Sequence, residues 1–215
     1  MSTINENNIK YTSSGERAAM GGYLAQYDAF AIGVYDALEA GVLEEIRVAD
    51  MEENVGKLDD VIYVTKDSVY AYQIKWSNVD AEMSYTSFKT LISEIVDGWR
   101  KLRILYSDKT IYPYLLTNRS LTDGDDTIKK LAGKGAGGFK AYDKEVLTGL
   151  KNGEQLDDKW INALTELNEI STLTAEEWND FWKVFSFLHD YKKERIEVSR
   201  LYENQRIFDI ICINR

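Results

Sequence analysis

A long amphipathic helix that follows a β-hairpin is the sequence feature that most restricts the fold of this chain. Apolar residues recur with the helical period across 87–106 and predict a helix with one apolar stripe. Ahead of it, the apolar runs 61–64 and 69–76 flank the tight turn 65–68 and predict a pair of antiparallel strands. Together these segments indicate an α/β core.

Three further segments extend this core. A helix is predicted from Met20 onward, because its apolar residues keep the helical period, and Gly41 is predicted to be its C-cap. Segment 45–49 is predicted to be a short strand. Segment 111–117 is predicted to be another, in which Pro113 indicates an edge position or an irregularity. The elements therefore follow the order α-β-β-β-α-β.

The character of the chain changes after residue 118. Segment 119–140 is rich in glycine and predicts a loop that carries at most a short helix. Thr174 and Glu177 form a capping-box pattern at the start of one of the later helices. Helices are predicted over 157–170, 175–189 and 191–204, with a final strand over 206–215. We expect a flexible leader over 1–17, a core over 18–120 and a helical extension over 121–215 packed on that core.

Composition excludes several kinds of chemistry. The chain has 215 residues with one His and one Cys, so zinc sites with two thiolates, multi-histidine sites and internal disulfides are excluded. Chemistry must therefore depend on carboxylates, amides, Lys, Arg or hydroxyls. The formal net charge of −10 argues against a non-specific nucleic-acid coat. It leaves a nuclease open, because divalent cations and local Lys and Arg clusters can offset the acidity.

The hairpin carries the polar residues with the clearest chemical meaning. Residues two apart in a strand point to the same face, so Gln73 and Lys75 project together while Ile74 is expected to turn into the core. Asp60, at the start of the preceding strand, can reach the same point. Two oxygen ligands and an ammonium suit Mg²⁺-assisted hydrolysis of a phosphodiester. The alternative is an ordinary hairpin with a polar exposed face.

The order of elements and the hairpin motif together resemble the PD-(D/E)XK nuclease superfamily. More narrowly, GGYLAQYDAF, DDVIYV, AYQIK and the strand end LLTNRSLTDG resemble the DUF4297-type double-stranded-DNA endonuclease domain. That domain is N-terminal in bacterial antiphage effectors, among them CBASS effectors with a SAVED sensor and antiviral STAND NTPases. The resemblance covers roughly 20–120. It implies a restriction-endonuclease-like core with a mixed sheet, followed here by a helical annex.

The resemblance also assigns roles to individual residues. Asp60 matches the metal-binding acid, Lys75 matches the motif lysine, and Gln73 stands where the superfamily usually has Asp or Glu. This glutamine agrees with the narrower family but removes one negative charge from the Mg²⁺ (or Mn²⁺) site. The backbone carbonyl of Ile74 is a candidate third ligand, and Glu52 or Glu53 is the alternative.

Two more polar residues are candidates for supporting roles. Asp59 adjoins the metal-binding acid and is the less favoured of the two aspartates, with a turn residue as its other interpretation. Gln26 lies on the first predicted helix, where the resembling family has polar residues near its active site. A solvent-exposed glutamine is the alternative for Gln26.

Basic residues on the long helix are candidates for contact with DNA phosphates. The alternative is a solvated helix face, and the same two interpretations apply to a second basic cluster in the glycine-rich region. The helix candidates are Arg100, Lys101, Arg103 and Lys89, and the second cluster is Lys129, Lys130, Lys134 and Lys140.

Other motifs do not support a site. GKGAGG over 133–138 lacks the Ser or Thr that must follow the lysine of a Walker A loop, and a flexible connection is preferred. His189 is interpreted as a capping or core residue at a helix end. Cys212 is interpreted as a core thiol. The aromatic run over 178–188 has the spacing of a buried helix face.

We therefore expect a metal-dependent DNA endonuclease effector domain of a bacterial antiphage protein, located in the cytoplasm and without membrane contact. The resemblance implies double-stranded DNA as substrate, a downstream sensor or NTPase domain in the same polypeptide, and activity as a homo-oligomer. A catalytically inactive interaction module on the nuclease fold and an RNase on the same fold are the alternatives.

Overall fold

A computed structural model describes residues 31, 33–48, 56–77 and 80–191 of the chain. The short segments Asp143–Leu147 and Asp158–Trp160 are a π-helical and a 3₁₀ turn. In chain order the other elements are α1 (33–39), β1 (Leu43–Val48), β2 (Val61–Thr65), β3 (Ser68–Lys75), β4 (Glu82–Met83), α2 (Tyr85–Leu105), β5 (Thr110–Thr117), β6 (Ser120–Leu121), α3 (Asp126–Ala132), α4 (Phe139–Tyr142), α5 (Thr148–Asn152), α6 (Ile161–Ser171), α7 (Ala175–Val184) and β7 (Ser186–Leu188).

Five strands form one mixed sheet in the order β1-β2-β3-β5-β7. The first three are antiparallel neighbours, whereas β3, β5 and β7 run parallel. Helix α2 connects the parallel strands β3 and β5, as a parallel pair requires. The short strands β4 and β6 form a separate parallel pair. The predicted α/β fold with a mixed sheet is confirmed.

The two faces of the sheet are covered by different helices. On one face, apolar residues of β2, β3 and β5 share a cluster with the buried stripe of α2, which includes Phe88, Ile92 and Trp99. On the other face, Tyr63 packs with Val34 and Ala37 of α1. Because both faces are covered, β2 is buried at four consecutive residues rather than at alternate ones.

The end of α1 and the turn after β2 follow the sequence expectation. Gly41 adopts a φ of +65° after α1, and its N–H donates to the carbonyl of Leu38 at 3.0 Å. Beyond β2, the Lys109 ammonium donates to the carbonyls of Thr65 and Lys66 at 2.8 and 2.6 Å. Lys109 thereby ties the hairpin turn to the start of β5.

Pro113 lies in an interior strand, so an edge position, the first of its two predicted explanations, is wrong. Its strand, β5, has β3 on one side along its whole length. On the other side, β5 pairs with β7 only from Tyr114 to Leu116, one residue beyond the proline. A proline lacks an N–H and is tolerated here, because no strand of the described part of the chain pairs with it on that side.

The predicted helix over 175–189 ends early. Helix α7 stops at Val184, Phe185 turns extended with a ψ of 140°, and the next three residues join the sheet as β7. Parallel pairing with β5 therefore replaces the last helical turn. The predicted capping role of His189 is wrong for the same reason: its ring lies 2.8 Å from Asp190 and 3.3 Å from Asp143.

The extension and the sheet share one apolar cluster. Trp160, Phe181 and Phe185 belong to the same buried cluster as α2. The predicted capping box of α7, from Thr174 to Glu177, is confirmed. Gly138 packs so closely on the backbone of Thr122 and Asp123 that a Cβ would overlap it.

Several sequence expectations fall outside the described residues. These are the leader over 1–17, the part of the first helix that carries Gln26, the acids Glu52 and Glu53, the helix predicted over 191–204 beyond its first residue, the strand over 206–215 and Cys212. Among the helices that the structure describes, none has both the length and the apolar character that crossing a membrane would require.

Candidate functional site

The candidate site lies at the edge of the sheet where β2 begins and where β3 and β5 end. Val61 pairs with Tyr72, and one step further out Asp60 lies opposite Gln73. Lys75 ends β3 and pairs with Thr117, the last residue of β5. Antiparallel and parallel pairing together bring an acid, an amide and an amine to one edge.

The Asp60 carboxylate is the acceptor that joins the two hairpin strands at this edge. Its Oδ2 atom accepts a hydrogen bond from the Gln73 amide and a second, of 2.6 Å, from the backbone N–H of Ile74. The carboxylate is therefore held by the strand that carries the other two motif residues. The structure brings the predicted trio of Asp60, Gln73 and Lys75 together.

Gln73 is buried, in contrast to a residue on a solvated hairpin face. It is 3% exposed, and Thr117 on the neighbouring strand is fully buried. Only four polar or charged residues are buried in the described part of the chain, and these are two of them. Buried polar side chains need partners, and Gln73 has its partner in Asp60. The alternative of an ordinary exposed polar hairpin does not fit this burial.

Ile74 is also buried, but on the opposite face. It packs with Val61 and Leu116, in a cluster separate from the α2 core. As expected, Ile74 is buried on one face of the sheet while Gln73 and Lys75 share the other face. The main core, however, lies on the face of Gln73 and Lys75, because α2 covers that face further along the strands.

Burial raises the pKa of the Asp60 carboxyl above its ordinary value of 3.8. The neighbouring charge of Asp59 acts in the same direction, whereas the Ile74 N–H, the Lys75 ammonium and the Gln73 amide act in the opposite direction. Desolvation is the largest of these effects. A bound cation would remove this penalty, because it supplies the positive charge that the buried carboxylate lacks.

Lys75 is partly exposed and forms no salt bridge with any residue of the described part of the chain. Its backbone carbonyl accepts a hydrogen bond of 2.6 Å from the hydroxyl of Thr117. The strand end is thereby fixed while the ammonium remains available to a ligand. An ammonium in this setting can stabilise the negative charge of a phosphate.

The donor set fits a hard cation with oxygen ligands. The Asp60 carboxylate, the Gln73 amide oxygen and the Ile74 carbonyl are available types of ligand, and Mg²⁺ commonly uses one or two carboxylates and keeps several waters. Ligation by Gln73 requires its oxygen rather than its nitrogen to face the ion. Among the residues that the structure describes, no cluster of three or more Asp, Glu, His or Cys side chains could hold a metal.

The four basic residues predicted to contact DNA all have acidic partners. Lys89 pairs with Glu166 of α6 at 2.6 Å, and Arg100 pairs with Glu177 of α7 at 2.7 Å. Lys101 and Arg103 pair with Asp97 and Asp180 at 2.9 and 3.8 Å. Three of these pairs join α2 to the extension, and contact with DNA phosphates would require them to open.

In the second basic cluster, Lys129 and Lys140 pair with Asp126 and Asp123 at 3.2 and 3.5 Å. Lys130 and Lys134 are exposed. These pairs are on the surface, where ion pairs contribute little to stability and open readily. The glycine-rich region therefore remains a candidate for phosphate contact.

Glu177→Gln should destabilise the fold and change its response to acid. The Arg100 guanidinium, together with the Thr174 N–H, lowers the Glu177 pKa to about 2. This stabilisation is present above the ordinary carboxyl pKa of 4.5 and is lost as the pH falls toward 2. We expect a loss of about 1–2 kcal/mol at pH 7, because the pair is partly solvated. Urea unfolding from pH 7 to pH 2.5 measures it.

Glu176→Gln is the matched control, because Glu176 is the exposed neighbour in the same helical turn. Its effect should stay within about 0.5 kcal/mol. Equal stability of both variants at pH 7 would contradict a structural role for the Arg100–Glu177 pair.

Two residues of this edge make contacts that the sequence analysis did not predict. Thr117 bonds to the strand end of Lys75, and Asn118 bonds to Ser77 just beyond it. The strand end at Thr117 and Asn118 lies within LLTNRSLTDG, one of the segments in which a resemblance was noted above. Its position next to the Gln73–Lys75 strand is the signal that could have identified both residues.

No family model matches the chain, and no curated protein matches it. A solved structure of a protein of unknown function, AF1548, is 16% identical to it. The match covers 72% of this chain and 93% of that chain, with a TM-score of 0.30.

Proposed function

We propose that this chain is a metal-dependent DNA endonuclease domain of the PD-(D/E)XK type, similar to the DUF4297-type effector domains of bacterial antiphage proteins. The observation that carries the proposal is the Asp60 carboxylate, held by the Gln73 amide and the Ile74 N–H at the sheet edge where Lys75 ends its strand. The element order and mixed sheet agree with a restriction-endonuclease-like core.

The trio divides two tasks in this proposal. Asp60 and Gln73 would hold the cation, with the Ile74 carbonyl as a further ligand. Mg²⁺ or Mn²⁺, when bound, polarises the phosphate and lowers the pKa of a water molecule. Lys75 stabilises the charge that develops on the phosphate as water attacks phosphorus and the P–O bond to the leaving oxygen breaks. The attacking water gives up one proton to the solvent and the leaving oxygen takes one up, so hydrolysis leaves a phosphate monoester and a hydroxyl.

The proposed substrate is double-stranded DNA, and the proposed active form is a homo-oligomer in the cytoplasm. The formal net charge of −10 weakens non-specific DNA binding by a single copy. Assembly would place several sites on one duplex and raise the effective concentration of each. A sensor or NTPase domain in the same polypeptide would supply the signal for assembly.

The proposal is tested by plasmid cleavage with Lys75→Met. Methionine retains the length of the side chain but removes the ammonium. We expect the variant to cut supercoiled plasmid about 10²–10³-fold more slowly in Mg²⁺ or Mn²⁺. EDTA should stop the wild-type protein. Lys66→Met is the matched control, because Lys66 is exposed on the hairpin turn, and it should cut at the wild-type rate.

Cleavage at equal rates by wild type and Lys75→Met would contradict the proposed site. Parallel assays with single-stranded DNA and RNA determine the substrate, and a preference for RNA would replace the DNA endonuclease by an RNase on the same fold.

A catalytically inactive interaction module is the second candidate function. Its support is Gln73, which occupies the position where the PD-(D/E)XK superfamily usually has a second acid, within a described region that offers no three-acid cluster. Absence of cleavage by the wild-type protein under every metal and assembly condition would favour it.

A further inference from the structure

Side chains at the end of β5, rather than backbone pairing between strands, make hydrogen bonds to the backbone that follows Lys75. Regular pairing of β3 with β5 ends at Lys75 and Thr117. Beyond that pair, Asn118 takes over: its Oδ1 accepts from the Ser77 N–H at 2.9 Å, and its Nδ2 donates to the Ser77 carbonyl at 2.6 Å. One amide thus satisfies both backbone groups of one residue.

Thr117 contributes a second connection. Its hydroxyl donates to the Lys75 carbonyl at 2.6 Å and accepts from the Arg119 N–H at 3.2 Å. The Thr117 side chain is fully buried, so these bonds are shielded from water. The backbone is therefore held at the Lys75 carbonyl, next to the Cα that bears the Lys75 side chain, and again at Ser77, two residues further on.

The other side of the β5 end is fastened as well. The N–H of Tyr191 donates to the Thr117 carbonyl at 3.2 Å, and the N–H of Asp190 donates to the Arg119 carbonyl at 3.1 Å. Asn118 therefore projects from a segment that is bonded on both sides. A side chain on such a segment can fix the position of its partner, because its own backbone is fixed.

We propose that Asn118, assisted by Thr117, is the positioning residue for Lys75. The inference rests on the proposed function, because it assigns Lys75 the charge-stabilising role. Asn118 touches neither substrate nor metal in this scheme. It keeps the end of β3 in one conformation, so that the ammonium meets the developing phosphate charge at a fixed point. Small displacements of such a group reduce catalysis strongly.

The experiment compares Asn118→Ala with wild type in steady-state cleavage, metal binding, unfolding and backbone hydrogen exchange. We expect kcat to fall about 10–100-fold, the range typical of residues that orient a ligand or catalytic group. KM and the Mg²⁺ affinity should stay unchanged, because Asp60 and Gln73 are untouched. Amide exchange over 75–77 should accelerate.

The control is Asn162→Ala. Asn162 is an exposed asparagine that also bonds to a backbone carbonyl, that of Leu131 at 3.2 Å, but it lies on α6. It should leave kcat and exchange over 75–77 unchanged. Thr117→Val is the second variant, because it removes the bonds to the Lys75 carbonyl and from the Arg119 N–H with little change of shape. It keeps the test open if Asn118→Ala does not fold.

The outcomes separate the two proposals. A wild-type protein that does not cut refutes the proposed function, and the inference with it. If the wild-type protein cuts DNA and the folded Asn118→Ala and Thr117→Val variants cut at the wild-type rate, the inference alone is refuted. A loss that appears in KM or in Mg²⁺ affinity rather than in kcat also contradicts a positioning role.

Discussion

Asp60→Asn should reduce metal-dependent cleavage about 10³-fold or more while leaving the fold intact. The substitution removes the one carboxylate of the trio, and the Lewis-acid and water-activating effects of a bound cation are together worth several kcal/mol of barrier. The asparagine oxygen can still accept from the Ile74 N–H, which donates to Asp60 at 2.6 Å. Loss of activity therefore need not come from unfolding.

The same variant should be more stable than wild type at neutral pH when no metal is present. Because burial raises the Asp60 pKa, wild-type stability falls as the pH rises from the ordinary value of 3.8 through the raised value. Asparagine does not titrate, so this loss should be absent. We expect the free energy of unfolding of Asp60→Asn to exceed that of wild type by about 1 kcal/mol, the usual gain when a buried functional charge is removed.

Thermal unfolding with and without Mg²⁺ measures both effects. Mg²⁺ should raise the Tm of wild type and leave that of Asp60→Asn unchanged, and the wild-type Mg²⁺ affinity should weaken as the pH falls through the Asp60 pKa. An Asp60→Asn protein that still binds Mg²⁺ and cuts DNA would remove Asp60 from the site.

Gln73→Glu should strengthen metal binding about tenfold or more and destabilise the metal-free fold. Glutamate restores the second acid that the superfamily usually has, and ligand charge is a main determinant of affinity for hard cations. Without metal, two carboxylates would meet where the Gln73 amide now donates to Asp60, at a position that is 3% exposed. We expect the free energy of unfolding to fall by about 3–5 kcal/mol at pH 7.

The loss should be relieved in two ways. Acid relieves it, because two adjacent carboxyl groups raise the pKa of one of them. Below that pKa the two groups share a proton and no longer repel each other. Mg²⁺ relieves it at pH 7 by neutralising the pair. Calorimetric titration and unfolding at two pH values measure this. Gln73→Met is the control, because methionine has no oxygen ligand for Mg²⁺, and it should bind Mg²⁺ more weakly than wild type. Equal Mg²⁺ affinity in all three proteins would exclude residue 73 from the metal site.

The hairpin and its polar trio could be predicted from the sequence because their signals are local. Two strands joined by a short turn have a fixed register, and this register places Asp60 opposite Gln73. The long helix was equally clear, since Phe88, Ile92 and Trp99 form the predicted apolar stripe. Local periodicity and short loops carried these parts of the prediction.

The later part of the chain could not be read in the same way. The residues of β7 continue the apolar spacing of α7, so the sequence pattern alone predicts a longer helix. They form a strand because they pair with the side of β5 that faces away from β3. The acidic partners of Lys89 and Arg100 are both 77 residues away along the chain. The bonds from Asn118 to Ser77 likewise join positions 41 residues apart. No local pattern reports such pairings.

Strand β7 comes from the extension predicted over 121–215, yet it is part of the five-stranded sheet that contains the candidate site. A fragment ending at residue 120 would lose the partner of Tyr114–Leu116 and leave this backbone bare. The donors at Asp190 and Tyr191, which hold the β5 end that bears Asn118, would go with it. Residues 186–191 therefore support the proposed catalytic edge in three ways: the pairing of β7 with β5, the two hydrogen bonds from Asp190 and Tyr191, and the packing of Tyr191 against the cluster that contains Ile74.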